Sequence, residues 1–511
     1  MIVLKKRGRR EAASFFYRYS LFGQMVLIIR YFCRLYCAYN ATSMRKKEKQ
    51  EPLVIENLEI VDAGAEGNAI ARYNDMVIFI PFVVPGDVCD VRIISRKRRF
   101  MEGRVVRFHK YSDKRTQPVC SHFGTCGGCK WQNMEYNHQL YYKQKQVADN
   151  FSRIGHLEYP EIQPILPSED IYYYRNKLEY TFSSLRWLQA EEIDSQEEID
   201  RNGLGFHIPG MFDRILDIKT CYLQKEPTNE IRNKLRTFAK EKGFTFYNIR
   251  KFEGQLRNVI VRTAGDDLMV IMVFGTDDTE VISEVMSFIS ESFPQITSLF
   301  YVVNLKHNDT ISDLETVLYK GLPYITGIME DLQFRVGPLS FYQTNPHQAL
   351  RLYKIVREMA ALSGNEIVYD LYTGTGTIAN FVARKAGKVV GIEYVEPAVA
   401  DARINSEINQ IENTTFLAGD MAKLLTPELI AQYGNPDVII TDPPRAGMHE
   451  KVVTNILKAK PGRIVYVSCN PATQARDLAL LSESYKIVQI QPVDMFPHTS
   501  HVENVCLLVL K

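Results

Sequence analysis

One cysteine lies where a predicted strand meets a turn. Cys469 is in the segment YVSCNPATQARD, in which an apolar stretch is followed by an Asn-Pro pair and then by a helical pattern. An open α/β sheet presents its chemistry at the carboxyl ends of its strands, and a thiolate there is a strong nucleophile once donors or cations lower its pKa. Cys469 is therefore the candidate nucleophile, with a buried small hydrophobic residue as the alternative. Cys506, in the apolar segment NVCLLVL, is predicted to be core packing.

A carboxylate near the C-terminus suits the role of a base. Glu503 follows His498 and His501 in PHTSHVEN. Carbon 5 of uracil is too weak a nucleophile to accept a methyl group until a thiolate adds to carbon 6, and a base must then remove the carbon 5 proton so that the thiolate can leave. Glu503 is the candidate base, and the histidines are expected to shape the pocket. A zinc pair is their alternative, but no other ligand is spaced with them.

A glycine turn predicts a cofactor pocket. The sequence DLYTGTG, residues 370–376, follows a buried strand and precedes a helix. Glu393 in VVGIEYVEP ends the next strand, where an acid can accept two ribose hydroxyls. The turn lacks the third glycine of a dinucleotide site, so S-adenosylmethionine fits the pattern better. Asp420 in AGDM is expected to face the adenine and Asp442 begins DPPRAGMH; a helix cap or a surface group is the alternative for each acid.

Four cysteines form a separate group. Cys120, Cys126 and Cys129 have the spacing C-x5-C-x2-C, with glycines that allow a tight loop, and Cys221 in KTCYLQ can supply a fourth thiolate. By count, four thiolates suit zinc and an iron-sulfur cluster equally. Zinc sites more often use two closely spaced pairs, so the arrangement favours a 4Fe-4S cluster. Its role is expected to be structural or to position RNA, because methyl transfer needs no electron.

The elements that must position the nucleophile and the cofactor lie in the last third of the chain. Apolar strands are predicted at Glu366–Leu371, Val389–Glu393, Val438–Thr441 and Arg463–Ser468, separated by helical stretches. Such an alternation indicates a parallel sheet with helices on both faces.

The N-terminal half is predicted to contain a barrel and a mixed region. From Leu53 to about Arg107 short alternating strands indicate a small barrel of the oligonucleotide-binding kind. Between Arg92 and Arg115 ten Lys/Arg face two acids, a patch suited to a polyanion; a solvated surface is the alternative. The mixed region is predicted to have one long helix at Met134–Ile154 and an exposed acidic loop that begins at Ala190. Its predicted strands are Val259–Thr263, Leu268–Phe274 and Ser298–Asn304.

Bulk composition narrows the class of protein. A chain of 511 residues predicts about three domains. With 45% hydrophobic and 24% charged residues, composition indicates neither disorder nor a membrane protein. An odd number of cysteines, nine, and the lack of a cleavable signal favour a reducing cytoplasm without disulfides. The uncharged run Tyr19–Ile29 is too short to span a bilayer, which needs about 20 residues. Residues 1–43 are therefore interpreted either as a helix that lies on a membrane surface or as translated non-coding sequence upstream of a start at Met44.

These motifs together resemble the RNA 5-methyluridine methyltransferase family, and within it the iron-sulfur branch that modifies 23S ribosomal RNA. The resemblance covers about residues 52–511. It implies that Cys469 is the nucleophile and Glu503 the proton acceptor, and that the four cysteines hold the cluster. It also implies that S-adenosylmethionine is contacted by Gln343, Tyr372, Thr377, Glu393, Asp420 and Asp442. At the position of Thr377 some members of the family carry an Asn that touches the cofactor.

The resemblance implies an α/β multidomain chain. After an N-terminal extension at 1–51, it predicts a TRAM barrel (OB-like) at 52–112, a central α+β domain with the iron-sulfur site at 113–335, and a Rossmann-like methyltransferase domain at 336–511. The expected protein is a cytoplasmic monomer that acts on RNA, ribosomal RNA being favoured, without a stable protein partner or a membrane.

Several alternatives remain open at this point. The same reaction on transfer RNA is one, and a non-catalytic RNA-binding or redox-sensing iron-sulfur protein is another; the latter predicts that Cys469 and Glu503 lie far apart. An enzyme that methylates base amino groups usually carries an aromatic residue after DPP, where this chain has Arg445. A radical enzyme with a TRAM domain needs a CxxxCxxC spacing, which is absent from the sequence.

Overall fold

The computed structural model describes residues 53–64, 66–193 and 199–511. The predicted N-terminal extension and residues 194–198 of the acidic insert lie outside these residues. The first residues of the insert, Ala190–Ile193, form a short helix instead of the predicted loop. Within the described ranges, no helix is long and apolar enough to cross a membrane.

The N-terminal region forms the predicted closed barrel, in the order β1-β2-β3-β5-β4. Inward-facing apolar side chains such as Ile60, Ile78 and Val91 form its core. Asn74 and Asp75 connect β2 to β3 with positive φ angles of 47° and 61°, a backbone that these residue types tolerate in a tight hairpin. The strands are β1 Val54–Ala63, β2 Ala69–Tyr73, β3 Met76–Ile80, β4 Val88–Arg96 and β5 Phe100–Lys110.

The central region is built on a seven-stranded sheet in the order β12-β11-β10-β9-β6-β7-β8. Apolar residues of α3 and α4, among them Leu235 and Val285, are buried against it. The strands are β6 Lys177–Ser183, β7 Gly203–Ile208, β8 Met211–Asp217, β9 Leu256–Ala264, β10 Asp267–Phe274, β11 Ser298–Val303 and β12 Val317–Gly321. The helices are α1 Tyr136–Arg153, α2 Ala190–Ile193, α3 Thr228–Glu241 and α4 Thr279–Ser292.

The C-terminal region has a hairpin followed by a second seven-stranded sheet, in the order β17-β16-β15-β18-β19-β21-β20. The strands are β13 Ile325–Met329, β14 Leu332–Val336, β15 Ile367–Leu371, β16 Lys388–Glu393, β17 Thr414–Ala418, β18 Val438–Thr441, β19 Arg463–Ser468, β20 Tyr485–Val493 and β21 Glu503–Leu510. The helices are α5 Pro346–Ala360, α6 Thr377–Ala383, α7 Glu396–Ile408, α8 Met421–Leu424, α9 Pro427–Tyr433, α10 Glu450–Ala459 and α11 Pro471–Leu481.

The first five strands of this sheet are parallel, as predicted, but β21 is antiparallel to both β19 and β20. The four strands for which a parallel sheet was predicted are therefore parallel, and β20 and β21 are additional strands at this edge that the prediction did not include. No helix connects β20 to β21, and a parallel connection needs a crossover of about a dozen residues or more. The two strands therefore pair as a hairpin.

The core of this sheet includes residues from the predicted central domain. Val147 and Phe151 of α1 are buried with Tyr466 of β19 and Leu478 of α11. In the same way, Phe334 of the β13-β14 hairpin belongs to a core that contains residues of α5 and α6. The segment that predicts a long helix at Met134–Ile154 thus supports the sheet that carries Cys469.

Candidate active site

Cys469 follows β19 directly, in the turn that begins α11, as the sequence predicts. The turn is held by its own side chains. Asn470 Oδ1 accepts a hydrogen bond from the Ala472 amide at 3.1 Å, and Ser468 Oγ accepts one from the Asn470 amide at 3.1 Å. Cys469 is partly exposed, so its thiol can be reached from the carboxyl edge of the sheet. Cys506 is fully buried in β21, which confirms the prediction that it packs in the core.

Glu503 is brought to Cys469 by strand register. The antiparallel pairing of β19 with β21 runs from Arg463 opposite Val509 to Ser468 opposite Asn504. Cys469 and Glu503 are the residues that come next beyond this last pair. After burial, the Glu503 carboxylate makes the largest contribution to the raised pKa of the Cys469 thiol, so the two side chains are near each other. This proximity is contrary to what a non-catalytic binding protein predicts.

Three ionisable groups in this pocket affect one another. Burial raises the pKa of Glu503 to about 8, with a further increase from Asp442 and an opposing effect of Arg445. Burial also raises the pKa of Cys469 to about 11; Glu503 and Asp442 add to the increase, and Arg445 opposes it. Burial raises the pKa of Asp442 to about 7. Glu503 therefore becomes a carboxylate base only as the pH approaches and passes 8.

Arg445 has a contact role that the sequence reasoning did not assign to it. Its Nη2 atom lies 3.3 Å from both ring nitrogens of His501, and its carbonyl oxygen accepts hydrogen bonds from Asn470 Nδ2 at 3.0 Å and Thr473 Oγ1 at 3.2 Å. Burial and the Arg445 charge lower the pKa of His501 to about 4, so the ring is neutral near pH 7. Arg445 thus joins the DPPR loop to the nucleophile turn. Its positive charge partly offsets the effect of burial, which raises the pKa of Cys469 and Glu503.

The glycine turn after β15 has three residues in the left-handed region: Tyr372, Gly374 and Gly376, with φ angles of 63°, 56° and 73°. Glu393, at the end of β16, holds this turn by accepting a hydrogen bond from the Gly374 amide at 3.1 Å. A side chain built at Gly374 would meet no neighbouring atom. The turn therefore leaves open space beside its backbone, next to the Glu393 carboxylate. Thr377 is the first residue of α6.

The remaining predicted cofactor residues also follow strands of this sheet or a loop at its edge. Asp442 follows β18 directly. Asp420 follows β17 and caps α8, its Oδ1 atom accepting a hydrogen bond from the Ala422 amide at 3.0 Å, so this predicted cofactor contact is also a helix cap. Gln343 lies in the loop before α5, which is joined to the glycine turn where Thr375 Oγ1 donates to the Phe341 carbonyl at 3.5 Å.

Asp370 is the first residue of the DLYTGTG segment, and the sequence analysis did not identify it as a site residue. It is fully buried, and its Oδ2 atom accepts a hydrogen bond from Thr373 Oγ1 at 2.5 Å. Its Oδ1 atom has no partner among the residues that the structure describes. Burial raises the pKa of Asp370 to about 7, with a further increase from Asp442. An acid at the end of a buried strand, directly before the turn, was the signal available in the sequence.

The four predicted cluster cysteines line a single cavity. Two of their sulfur atoms accept hydrogen bonds: Cys129 Sγ from Gln132 Nε2 at 3.1 Å and Cys126 Sγ from the Gly128 amide at 3.4 Å. The structure nevertheless does not draw three or more Cys, His, Asp or Glu side chains together as a metal-binding group anywhere in the described ranges. The thiol chemistry and the shared cavity fit a metal cluster.

Comparisons with known proteins place this geometry in a family. The tRNA (uracil-5-)-methyltransferase family matches residues 328–511. An uncharacterized RNA methyltransferase of Bacteroides thetaiotaomicron is 57% identical over 452 residues, which are 88% of this chain and 100% of that protein. A Porphyromonas gingivalis protein of the same description is 55% identical over 464 residues, 88% of this chain and 99% of that protein.

A solved structure is similar along most of the chain. It is the crystal structure of the Pyrococcus abyssi tRNA (uracil-54, C5)-methyltransferase in complex with S-adenosyl-L-homocysteine, with 28% identity and a TM-score of 0.68 over 88% of this chain and 100% of that one. The protein therefore belongs to the S-adenosylmethionine-dependent RNA (uracil-5-)-methyltransferase family.

Proposed function

We propose that this protein methylates carbon 5 of a uridine in RNA through a covalent bond between Cys469 and the base, and that the RNA is 23S ribosomal RNA. The observation that carries the proposal is the β19-β21 register, which brings Cys469 and Glu503 together at the carboxyl edge of the methyltransferase sheet. A nucleophile without a base, or a base without a nucleophile, could not complete this reaction.

In the proposed mechanism, Cys469 releases its proton to solvent and its thiolate adds to carbon 6 of the uracil ring. The electron pair released in the ring makes carbon 5 nucleophilic. S-adenosylmethionine, held at the glycine turn and Glu393, would supply the methyl group that carbon 5 accepts and would be left as S-adenosylhomocysteine. Glu503 then removes the proton from carbon 5, the carbon 5 to carbon 6 double bond re-forms, and the thiolate of Cys469 is expelled. Arg445 favours both anionic side chains, since it lowers the pKa of each.

The residues that would hold the methyl donor surround the glycine turn. Glu393 would accept hydrogen bonds from ribose hydroxyls, since a carboxylate at the end of the second strand suits this contact. The open side of Gly374 supports close approach of a ligand to the backbone. The other contacts in this proposal are Gln343, Tyr372, Thr377, Asp420 and Asp442.

The cysteine cavity would hold a 4Fe-4S cluster through Cys120, Cys126, Cys129 and Cys221. Two observations support it: the four side chains border one cavity, and two of the sulfurs already accept hydrogen bonds of the type that tunes cluster ligands. The cluster would order the surrounding loops and would take no part in methyl transfer.

The barrel would hold RNA phosphates on the face formed by β4 and β5. Arg92 and Arg104 are exposed and directly opposite each other in this strand pair, although like charges at such positions destabilise a sheet. Neither has an ion-pair partner in the part of the chain that the structure describes. Two unpaired opposing cations on one exposed face favour a polyanionic ligand.

The target and the cellular setting complete the proposal. Ribosomal RNA is favoured by the four-cysteine site and the barrel, through the resemblance on which they rest. Transfer RNA is the second candidate, because the similar Pyrococcus abyssi enzyme is described as acting on transfer RNA. The protein would work as a cytoplasmic monomer, with the TRAM barrel at 52–112, the central domain at 113–335 and the catalytic domain at 336–511.

The reaction and its substrate can be tested together. The protein, purified without air, is incubated with methyl-labelled S-adenosylmethionine and, separately, with unmodified ribosomal RNA and unmodified transfer RNA. Each RNA is digested and the labelled nucleoside is identified by mass. We expect 5-methyluridine from ribosomal RNA. Label only in transfer RNA would overturn the target and keep the reaction, whereas no label from either RNA would overturn the proposed activity.

Replacement of Arg92 and Arg104 by Gln is expected to weaken RNA binding and to leave the barrel at least as stable as before. Each lost phosphate contact should reduce the slope of log affinity against log salt by about 1. Removal of the opposed charges also relieves repulsion across the strand pair. Binding is measured at several salt concentrations, and stability by thermal unfolding. The matched control is Lys458→Gln, which removes one exposed charge from α10. An unchanged salt slope in the double variant, as in the control, would contradict the assignment of this face.

A further inference from the structure

A hydrogen-bonded connection links the four-cysteine loop to the segment before Glu503. The amides of Lys130 and Trp131, which follow Cys129 directly, both donate to the carbonyl of His498, at 2.8 and 3.1 Å. His498 lies in the loop between β20 and β21, five positions before Glu503 in the sequence. The cysteine loop and the loop of the proposed base therefore share one main-chain acceptor.

Gln139 completes this connection from α1. It is fully buried, and its Oε1 atom accepts the His498 amide at 2.9 Å. Its Nε2 atom lies 3.2 Å from His498 Nδ1 and donates to the carbonyls of Trp131 and Met134 at 3.0 and 2.8 Å. One amide side chain thus binds both loops. Because three of these contacts are to main-chain atoms, displacement of either loop breaks hydrogen bonds that join it to Gln139.

His498 has a conformation that requires such support. Its φ angle is 64°, in the left-handed region that a side chain with a Cβ seldom adopts, and it is almost completely buried. The Tyr172 ring stacks on its imidazole with 4.5 Å between centroids, and the Tyr174 hydroxyl donates to the neighbouring Pro497 carbonyl at 3.0 Å.

The other side of the connection reaches the cysteines themselves. Gln132 donates from Nε2 to Cys129 Sγ at 3.1 Å and accepts a hydrogen bond from the Cys120 amide on Oε1 at 3.2 Å.

At the start of the loop that precedes Glu503, Lys143 and Asp494 form a fully buried ion pair at 2.5 Å, and Lys143 Nζ also donates to the Phe496 carbonyl at 3.0 Å. The base loop, residues 494–502, is therefore held by α1 at its start through Lys143 and again at His498 through Gln139.

We propose that Gln139 and His498 are positioning residues that make the placement of Glu503 depend on the order of the four-cysteine loop. Glu503 is the first residue of β21, so the strand register sets its position and the adjoining loop affects how firmly its carboxylate is held there. Displacement of this loop would leave Cys469 able to add to the base but would impair proton removal from carbon 5. This inference rests on the proposed function, since it assigns a step to Glu503.

The test compares Gln139→Met and His498→Asn with a matched control. Met has a similar volume to Gln and makes none of its hydrogen bonds, and Asn tolerates the left-handed backbone of position 498. The control is Gln144→Met on the same helix, because Gln144 also binds a main-chain amide, that of Ile165 at 2.9 Å, but has no contact with the His498 connection. Amide hydrogen exchange followed by mass spectrometry is the first measurement, and it does not depend on activity.

We expect faster exchange in both test variants, at Cys129–Trp131 and at Phe496–Glu503 together, with both regions unchanged in the control. During turnover, the two variants should accumulate protein-RNA adduct that resists denaturant, and their rate of product release should fall roughly tenfold or more, since small misplacements of a reacting group cost about this much. The KM for S-adenosylmethionine should not change. Removal of metal with a chelator should produce the same exchange pattern in the wild-type protein.

Two results would overturn the inference. The first is faster exchange that stays in one loop, and the second is adduct and product levels equal to those of the control. If Gln139→Met does not fold, judged by loss of its thermal transition, His498→Asn decides. A wild-type protein that makes neither adduct nor 5-methyluridine would instead refute the proposed function, so the two failures are distinguishable.

Discussion

Replacement of Cys469 by Ala is expected to abolish formation of 5-methyluridine while binding of S-adenosylmethionine stays intact. Without the thiolate, carbon 6 receives no nucleophile and carbon 5 is not activated, so the rate should fall by at least about 10⁴-fold. The proposed cofactor contacts, such as Glu393 and the glycine turn, are on strands other than β19 and should be unaffected. The rate is measured by methyl transfer to RNA and cofactor binding by calorimetry.

The matched control for this prediction is Cys506→Ala. Cys506 is fully buried in the neighbouring strand β21, where its sulfur accepts a hydrogen bond from Asn504 Nδ2 at 3.2 Å. Its loss should reduce stability by roughly 1 kcal/mol without removing methyl transfer. Unchanged methylation by Cys469→Ala would refute the covalent mechanism, and equal loss of activity in both variants would indicate damage to the sheet instead of loss of the nucleophile.

Replacement of Glu503 by Gln is expected to trap the RNA on the enzyme. Cys469 can still add to carbon 6 and the methyl group can still be transferred, but no base removes the proton from carbon 5. Release of product should therefore fall by about 100-fold or more, while methylated protein-RNA adduct accumulates. Denaturing gel electrophoresis with labelled RNA and labelled methyl donor measures both. An inactive variant without adduct would contradict the assignment of Glu503 to this last step.

The pH dependence of the wild-type protein gives a second measure of the same residue. The pKa of Glu503 is raised to about 8 by burial and by Asp442, so the base is protonated at low pH. Product release should therefore increase as the pH rises from about 7 to 9 and should level off above the pKa. The Glu503→Gln variant has no titrating group at this position, so its residual rate should lack this increase. Glu407→Gln on the exposed face of α7 should keep the wild-type profile.

Burial explains why the pocket needs a cation. Asp442 and Glu503 have raised pKa values, and each anion opposes ionisation of the Cys469 thiol. The thiol would be a poor nucleophile if these were its only neighbours. Arg445 opposes the rise in the pKa of both Cys469 and Glu503. Binding of RNA phosphates or of a cationic methyl donor would change these pKa values further. The free protein thus keeps the proton on the thiol.

Local patterns in the sequence were sufficient for the elements that carry the nucleophile and the cofactor turn. The strands Val438–Thr441 and Arg463–Ser468 have the bounds predicted, since continuous apolar runs between turn residues identify buried strands. The glycine turn could be predicted because glycine permits backbone angles that other residues avoid. Cys469 could be located because strand, turn and helix follow one another within a few residues.

Tertiary structure alone decided which of these residues meet. Glu503 comes next to Cys469 because β21 is antiparallel to β19, a pairing that the sequence did not predict. Gln139, His498 and the Lys143–Asp494 ion pair join segments separated by more than 350 positions. Such pairings depend on which surfaces bury each other once the chain is compact, and the periodicity of one segment contains no information about its distant partner. The sequence by itself therefore determined the chemistry available at each strand end, and the packing of α1 and the register of β21 determined how that chemistry is assembled.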